Sequence, residues 1–320
     1  MGKYLGGLIA GQISRSEKTA NAHRLFRDGN GPYEEFKRLA AEDIAAAIDA
    51  QNGFAYISGG QLDWLDVFRP IAHSFSGFEK RPTMGEDAIG PVTRWFRTNS
   101  FYRKPHVTAK IDCKGGELAH ALPRITNGMV LLAGPYSFSE MVENSHYADK
   151  SELAMDYCKA ISKNLHELKT QGYECVLLLE PAVGYHISKK SFEYPKWYPD
   201  AIAELKKSGL KLGIHFPLAN AEDFLHHMDS TAADFIGIDC IYTRPEDVKT
   251  KKDLLFGVVD GARANVEEKE EIIAQVNRFL AKAQFSGNYY VGPNDRLFDV
   301  PHAIALEKLR TISTLKSELK

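Results

Sequence analysis

Cysteine is scarce in this chain of 320 residues, which has only four, far apart in sequence and without a CxxC pair. Cys158, Cys175 and Cys240 lie in apolar segments patterned like buried strands or helices. Widely spaced cysteines in such segments predict buried free thiols instead of a disulfide framework. We therefore expect a reducing compartment and a cytoplasmic protein.

The chain also lacks an excess of either charge and any long apolar run. It has 40 basic and 42 acidic residues, a net charge of −2, which argues against a dedicated nucleic-acid or membrane-surface protein. Its apolar start, MGKYLGGLIAG, is too short to span a membrane and is followed directly by polar residues. We expect neither nucleic acid nor a membrane as a partner.

The segment ECVLLLEP, residues 174–181, is the clearest structural signal. Five consecutive apolar residues, Cys175–Leu179, are too few for an ordinary helix and are typical of a strand buried on both faces of a parallel sheet. Glu180 ends the run, and Pro181 stops the ladder because it has no N–H to donate. A carboxylate at the carboxyl end of such a strand is where α/β enzymes place their chemistry.

The rest of the chain repeats this strand-then-helix pattern. The predicted strands are Lys3–Ala10, Phe54–Ser58, Met129–Pro135, Cys175–Leu179, Leu210–Pro217, Asp234–Cys240, Leu254–Asp260 and Asn288–Pro293. The predicted helices are Glu34–Gln51, Gln61–Phe75, Asp149–Gln171, Tyr198–Lys207, Ala221–Met228, a short one from Glu246, Glu267–Lys282 and Pro301–Lys320.

Eight such units predict an α/β fold of the (β/α)8 TIM-barrel type, as one domain over residues 1–320. An inserted β-arm around residues 77–114 would contain the extended segment His106–Asp112. An open doubly wound sheet is the main alternative. It is disfavoured because the chain has no glycine fingerprint after its first strand and no GxxxxGK loop.

Polar side chains follow the predicted strands, where a barrel assembles its site. They are Gln12, Gln61, Asp63, Glu180, His215, Asp239, Cys240, Asp260, Arg263, Asn294 and Asp295. Core packing does not require them, so together they indicate a site. Individually, His215 can equally be a hydrogen-bonded structural histidine, and Asp260 can cap the loop beside Gly261.

The segment TRWFRTNSFYRKP, residues 93–105, alternates cationic and aromatic side chains. Arg94 beside Trp95 would suit a flat heterocycle that carries carboxylates, through stacking and charge-assisted hydrogen bonds. The alternative is a β-arm whose aromatics cover the barrel and whose cations are solvated.

Several segments together resemble the cobalamin-independent methionine synthase family. They are GGQLDWLDVF (Gly59–Phe68), TRWFRTN (Thr93–Asn99), GPYSF (Gly134–Phe138), LEPA (Leu179–Ala182) and GVVDGARA (Gly257–Ala264). Full-length members contain two fused barrels, of which the C-terminal one carries zinc and homocysteine. TRWFRTN and GVVDGARA look most like the N-terminal barrel.

The resemblance implies ligand-binding roles for particular residues. Arg94, Arg15 and Lys18 would hold the anionic tail of a methyltetrahydrofolate or related pterin. Trp95 and Trp64 would offer apolar surface to its ring. Gln61 stands where the catalytic barrel has a glutamate for the amino-acid substrate.

The resemblance also implies catalytic roles for His215, Asp239, Asp260 and Glu180, which would line the pocket. The family's zinc set is different from the residues here, because Pro217 and Asp295 stand at or near the cysteine positions and Asp239 replaces a glutamate. Residues without a sulfur ligand are poor candidates for activating homocysteine through zinc, so we predict no metal. Leu179 replaces the first acid of the family's pair, which leaves Glu180 the role of a structural or supporting group.

The resemblance therefore implies a methyltransferase of the 5-methyltetrahydropteroyltriglutamate–homocysteine type, acting in methionine biosynthesis on homocysteine or a related thiol. The chain would either work with a separate catalytic barrel or use a changed site. Two alternatives remain: a non-catalytic partner subunit, and a divergent barrel enzyme that acts on another small molecule with His215 as general base.

Overall fold

A computed structural model describes residues 2–80, 89–96 and 100–319 of the chain. Its strands are β1 (Tyr4–Gly7), β2 (Ser76–Phe78), β3 (Val92–Arg94), β4 (Phe101–Arg103), β5 (His106–Asp112), β6 (Gly128–Ala133), β7 (Glu143–Asn144), β8 (Tyr173–Leu179), β9 (Lys211–Phe216), β10 (Phe235–Asp239), β11 (Lys249–Thr250), β12 (Asp253–Val259), β13 (Gln284–Phe285) and β14 (Tyr289–Pro293).

The helices follow most of the parallel strands, as the α/β class requires. They are α1 (Glu17–Arg27), α2 (Tyr33–Ala50), α3 (Arg69–Ser74), α4 (Glu117–His120), α5 (Pro135–Met141), α6 (Lys150–Thr170), α7 (Pro181–Ser188), α8 (Tyr198–Lys206), α9 (Leu225–Met228), α10 (Lys269–Lys282) and α11 (His302–Thr314). Three-residue 3-10 turns occupy Ala221–Asp223, Pro245–Asp247 and Leu315–Ser317.

The chain divides into two compact units. The first unit comprises Met1–Asp63, Pro217–His226 and Phe235–Lys320, and the second comprises Trp64–Phe216 and His227–Asp234. In the first unit, parallel strands lie in the order β1-β14-β12-β10; in the second, the order is β9-β8-β6. The predicted α/β class is confirmed, with seven main parallel strands in the described residues.

The segment ECVLLLEP forms the centre of the second unit, as predicted. In β8, Leu177 is paired with Leu131 of β6 and with Gly213 of β9. Every residue of Cys175–Leu179 is buried, and Leu177 is completely inaccessible to solvent. A strand paired on both edges and covered on both faces needs this unbroken apolar composition.

The predicted strand Phe54–Ser58 is wrong. Only Ile57 is in a β-bridge there, and Ala55 donates a single backbone hydrogen bond to the carbonyl of Gly7, 3.0 Å away. The cause is Gln51, whose buried side chain both donates to the carbonyl of Ser58 (2.6 Å) and accepts from its N–H (3.0 Å). This pair of bonds closes residues 51–58 into a turn.

The predicted helix Gln61–Phe75 is wrong over its first half, since α3 begins only at Arg69. Gln61 and Leu65 have left-handed backbone angles, with φ of 47° and 57°, which a right-handed helix cannot contain. One carboxylate oxygen of Asp66 accepts the N–H groups of Phe68 and Arg69, both at 2.9 Å. The local side-chain bonds of Asp66 therefore compete with a longer helix.

The inserted β-arm is confirmed over the residues that the structure describes. In the three-stranded arm sheet, β5 pairs antiparallel with β2 and parallel with β7, while β3 and β4 form a separate antiparallel hairpin. The predicted segment His106–Asp112 coincides with β5. Residues 81–88 and 97–99, which include part of TRWFRTN, lie outside the described residues.

Helix α1 has no counterpart among the predicted elements, although its buried residues Thr19 and Ala22 are three residues apart and lie on one face. Its start depends on Ser16, whose hydroxyl accepts the N–H of Thr19 at 3.3 Å. The N–H of Ser16 donates to the Asp43 carboxylate of α2 at 2.8 Å. Side-chain capping thus fixes where this helix begins.

All four cysteines are free thiols. Cys158 and Cys175 are buried as predicted, whereas Cys240 is only half-buried. None of the described helices is long and apolar enough to cross a membrane.

We predict that Asp66→Ala lowers the free energy of unfolding by about 3 kcal/mol, because it leaves buried N–H groups without an acceptor. The Asp66 carboxylate also contacts the Arg69 guanidinium at 2.7 Å and the N–H of Arg103 at 3.2 Å. Urea unfolding measures the loss. Asp149→Ala is the control, since that residue only caps α6 at the surface and its removal should cost about 1 kcal/mol. Equal losses would contradict the role given to Asp66.

Candidate functional site

Glu180 lies at the carboxyl end of β8 and is completely buried. One carboxylate oxygen accepts the N–H of Tyr136 at 3.1 Å and the hydroxyl of Tyr198 at 2.9 Å; the other accepts the N–H of Ser137 at 2.7 Å. Tyr136 and Ser137 begin helix α5, which follows the neighbouring strand β6. The carboxylate therefore satisfies donors that the first turn of a helix leaves open.

Burial raises the pKa of Glu180 to about 7, while hydrogen bonds from Ser137, Tyr198 and Tyr136 act in the opposite direction. Burial, assisted by the charge of Glu180, also raises the pKa of Tyr198 well above its ordinary value, which keeps the Tyr198 hydroxyl protonated as the donor. The acid is thus held near its point of ionisation by two opposed effects.

Gly134 explains how the carboxylate comes so close to the backbone. A Cβ atom at this position would lie 2.2 Å from an oxygen of Glu180, a distance that atoms not bonded to each other do not reach. The glycine of the GPYSF segment is therefore required by the neighbouring acid.

His215 lies on β9 beside Glu180 and is also completely buried. Its backbone carbonyl accepts the N–H of Glu180 at 2.9 Å, and its Cα is paired with that of Leu179. The structure brings these two predicted residues together on neighbouring strands of the second unit.

A further pair near Glu180 was not among the predicted site residues. The Tyr136 hydroxyl lies 2.6 Å from Nδ1 of His186, and the Tyr136 ring also contacts Phe192 edge to face. Burial raises the pKa of Tyr136, so its hydroxyl keeps its proton, and the tautomer of His186 decides which of the two groups donates. Helix α7, which contains His186, begins at Pro181. The prediction uses Pro181 only as the end of a strand; recognising proline as a first helical residue would have indicated the helix.

Asp239 is the corresponding acid of the first unit, at the carboxyl end of β10, and it is fully buried. One oxygen accepts the N–H of Leu218 and the side-chain amide of Asn294, both at 3.0 Å; the other accepts the N–H of Ile241 at 2.9 Å. Burial raises the pKa of Asp239 to about 7, and the charge of Asp295 acts in the same direction against these hydrogen bonds.

Asp260 organises the loop after β12. Its side chain accepts the N–H of Ala262 at 2.9 Å and lies 3.2 Å from the guanidinium of Arg263. Its own N–H donates to Glu267, whose other oxygen is 2.7 Å from the ammonium group of Lys308. The Lys308 side chain is completely buried, so Glu267 neutralises it and also holds Asp260 in place.

The predicted tail-binding cations and their aromatic neighbours differ in exposure. Arg94 is exposed on β3, and its guanidinium lies 5.8 Å from the centre of the Phe101 ring. Trp95 and Trp64 are buried, at 7% and 3% exposure. Trp95 packs edge to face against Tyr102, and the indole N–H of Trp64 donates to the carbonyl of Ala121 at 3.0 Å. Both tryptophans are therefore part of the packed interior of the second unit.

The remaining predicted residues belong to the first unit. Arg15 is half-buried just before α1, and Lys18 is exposed in the first turn of that helix. Lys18 lines a groove of about 430 Å³ between α1 and α2, together with Arg38. Gln61 is buried, and its carbonyl accepts the side-chain amide of Gln12 at 3.2 Å.

Comparison with known proteins identifies the family. The model of the family described as "Cobalamin-independent synthase, N-terminal domain" matches residues 84–284. The chain belongs to the cobalamin-independent methionine synthase family. This confirms the resemblance, including its assignment to the N-terminal domain.

Relatives within this family match the chain over almost its whole length. A protein named methionine synthase from Saccharolobus solfataricus is 27% identical over 98% of this chain and 95% of its own, and one from Pyrococcus abyssi is 23% identical over 98% and 93%. The structure of a B12-independent methionine synthase from Shewanella sp. W3-18-1, in complex with selenomethionine, superposes with a TM-score of 0.75 at 16% identity, over 98% of each chain. The chain therefore shares the fold of that protein.

The described residues do not fit the zinc set expected of a catalytic barrel in this family. Within 2–80, 89–96 and 100–319, no three His, Cys, Asp or Glu side chains gather as ligands of one ion would. Both oxygens of Asp239, the residue in the glutamate position, accept N–H groups.

We predict that Glu180→Gln gains stability relative to the unmodified protein as the pH rises from about 5 to about 8. The folded-state pKa of about 7 lies above the ordinary 4.5. Between these values the folded chain keeps a proton that the unfolded chain has released, so the unmodified protein loses up to roughly 3 kcal/mol of stability. Glutamine does not titrate and escapes this loss.

Urea unfolding at both pH values tests this prediction. Glu174→Gln is the matched control, because Glu174 is exposed on the same strand, and its difference from the unmodified protein should stay constant. A constant difference for Glu180→Gln would mean that Glu180 is ionised throughout and that its hydrogen-bond donors outweigh its burial.

Proposed function

We propose that this chain handles a methylated folate- or pterin-type carrier in methyl transfer towards homocysteine or a related thiol. The carrier is bound as substrate, and the chain works with a separate catalytic barrel. Family membership supports the coarse activity, and the exposed face of the β3–β4 hairpin is the observation that carries the choice of ligand.

The hairpin face combines cationic and apolar groups. In the antiparallel register Arg94 lies opposite Phe101, and Val92 lies opposite Arg103, which places all four side chains on one face. Val92 and Phe101 are 57% and 51% exposed, although they are large and apolar. A flat ring with an anionic tail matches such a surface through stacking and charge-assisted hydrogen bonds.

The other face of the hairpin supports rigid presentation of these groups. Tyr102 is buried, contacts Trp95 edge to face, and donates its hydroxyl to the carbonyl of Met141 at 3.0 Å. In this proposal Trp95 and Trp64 act by holding the arm, and Arg94 contacts the carrier. Arg15 and Lys18 serve the anionic tail, and Gln61 supports the chain beside them.

The buried acids support a division of labour with a catalytic partner. The carboxylate of Glu180 is occupied by three N–H or O–H donors and that of Asp239 by four N–H donors, and Asp260 holds its own loop. In the proposal these acids and His215 shape the pocket, while the partner activates the thiol.

We further propose that residues 1–320 form one closed (β/α)8 barrel and that the protein is cytoplasmic. A single cooperative unfolding transition would support the single domain.

We predict that methyltetrahydrofolate binds the purified chain and that Arg94→Ala raises the dissociation constant at least about tenfold, because a charge-assisted hydrogen bond contributes about 1.5–3 kcal/mol. Isothermal titration calorimetry measures both values. Arg124→Ala is the matched control, since Arg124 is also an exposed arginine of the second unit outside the hairpin, and it should leave the dissociation constant unchanged.

The same preparation separates the competing functions. Methyl transfer to homocysteine that requires an added catalytic barrel supports the proposal. Absence of carrier binding by the unmodified chain would overturn it, and docking on a catalytic barrel without carrier binding would favour the non-catalytic partner subunit.

A further inference from the structure

Three side chains of the arm sheet stand in the order of a nucleophile, a base and an orienting acid. The Ser145 hydroxyl oxygen lies 2.7 Å from Nε2 of His106, and Nδ1 of His106 lies 2.9 Å from a carboxylate oxygen of Glu79. Both distances are within the range seen for serine, histidine and carboxylate groups that act together. None of the three belongs to the site described above.

The backbone holds these residues in register. The N–H of Glu79 donates to the carbonyl of His106 itself, and the N–H of Ser145 donates to the carbonyl of Val107, both at 2.9 Å. Glu79 directly follows β2, His106 begins β5, and Ser145 directly follows β7. The geometry is therefore set by a hydrogen-bonded sheet, which positions side chains more precisely than a free loop does.

Exposure decreases from the nucleophile to the base. Ser145 is exposed, whereas the His106 side chain retains only 19% of its accessible surface and that of Glu79 37%. A reagent in solvent can reach the serine oxygen, while the histidine stays oriented between its two partners. Among the described residues, Glu143 brings a further carboxylate to this strand pair, since it is the Cα partner of His106 on β7, and it is exposed.

We propose that Ser145, His106 and Glu79 form a second reactive centre, at which Ser145 accepts an acyl group from small activated carboxylic esters. The Ser145 oxygen attacks the ester carbonyl carbon as Nε2 of His106 takes the hydroxyl proton. The bond from the carbonyl carbon to the leaving oxygen breaks, and the imidazolium returns the proton to that oxygen. Water later cleaves the acyl-serine, which releases the acid and restores the hydroxyl. Glu79 acts as a positioning residue through His106.

The surrounding amides restrict this centre to activated donors. The N–H of Ser145 is used in the sheet, and the N–H groups of His146 and Tyr147 both donate to the side chain of Asn144, at 3.1 and 2.9 Å. Stabilisation of a developing oxyanion by backbone donors usually contributes strongly to acyl transfer. With these donors engaged, we expect a stoichiometric acyl-serine that breaks down slowly instead of rapid turnover.

The test treats the full chain with p-nitrophenyl acetate, follows release of p-nitrophenol, and locates the acetyl group by peptide mass spectrometry. We expect one acetyl group on Ser145 and none there in Ser145→Ala. The acetylation rate should fall at least about a hundredfold in His106→Gln, since a positioned base contributes that factor or more. His106→Gln keeps a polar side chain of similar length, and its urea unfolding confirms that the fold is retained.

Two matched controls and a pair of Glu79 variants complete the test. Ser151→Ala and His146→Ala should leave the rate unchanged, because the Ser151 hydroxyl donates to Asp149 and the His146 ring contacts Tyr147. Glu79→Gln should lower the acetylation rate, because Glu79 orients His106, and Glu79→Asp, which keeps a carboxylate, should restore part of that rate. Acetylation elsewhere than Ser145, or a rate unaffected by His106→Gln, would overturn the proposal. The outcome does not depend on methyl transfer or carrier binding.

Discussion

The second unit depends on one interaction, the acceptance of two helix amides and one phenol by the buried carboxylate of Glu180. This contact determines where α5 begins relative to β8, and it requires a glycine at position 134. A buried carboxylate is costly without such donors, and open amides at a helix start are costly without an acceptor. The hydrogen bonds between the carboxylate and the amides remove both costs, and they fix the end of β8 against the first turn of α5.

The first unit uses the same arrangement with different donors. Asp239 accepts the N–H groups of Leu218 and Ile241 together with the amide of Asn294. In both units a carboxylate lies at the carboxyl end of a buried parallel strand, and the chain then turns around it. Polar residues at strand ends are therefore compatible with both function and architecture, and the hydrogen-bond partners decide between them.

Much of the fold follows from sequence, because apolar runs and helical periodicity report burial directly. The strand at Cys175–Leu179, the long helix after Asp149 and the extended segment His106–Asp112 were all predicted correctly. Three errors occurred where side chains bond to nearby backbone. Gln51 turns a predicted strand into a loop, Asp66 shortens a predicted helix, and Ser16 caps a helix that was not predicted.

The site was less predictable for a related physical reason. Residue type shows that a group can ionise, but its role depends on contacts between distant parts of the chain, such as Tyr198 with Glu180 or Lys308 with Glu267. Sequence drew attention to the strand-end acids and to Arg94. The helix that contains His186 was missed, because the proline that begins it was interpreted only as the end of a strand.

The buried acids and the exposed β3–β4 hairpin differ in how much of their surface is left to contact a ligand. Glu180 and Asp239 direct their oxygens at protein donors, and burial raises the pKa of each to about 7. A group whose hydrogen-bonding capacity is already used can shape a pocket, but it has little capacity left for a substrate. The β3–β4 hairpin of the arm, by contrast, exposes Arg94 and Phe101 on one face. In the proposed function, recognition of the carrier therefore depends more on the inserted arm than on the strand ends that build the core.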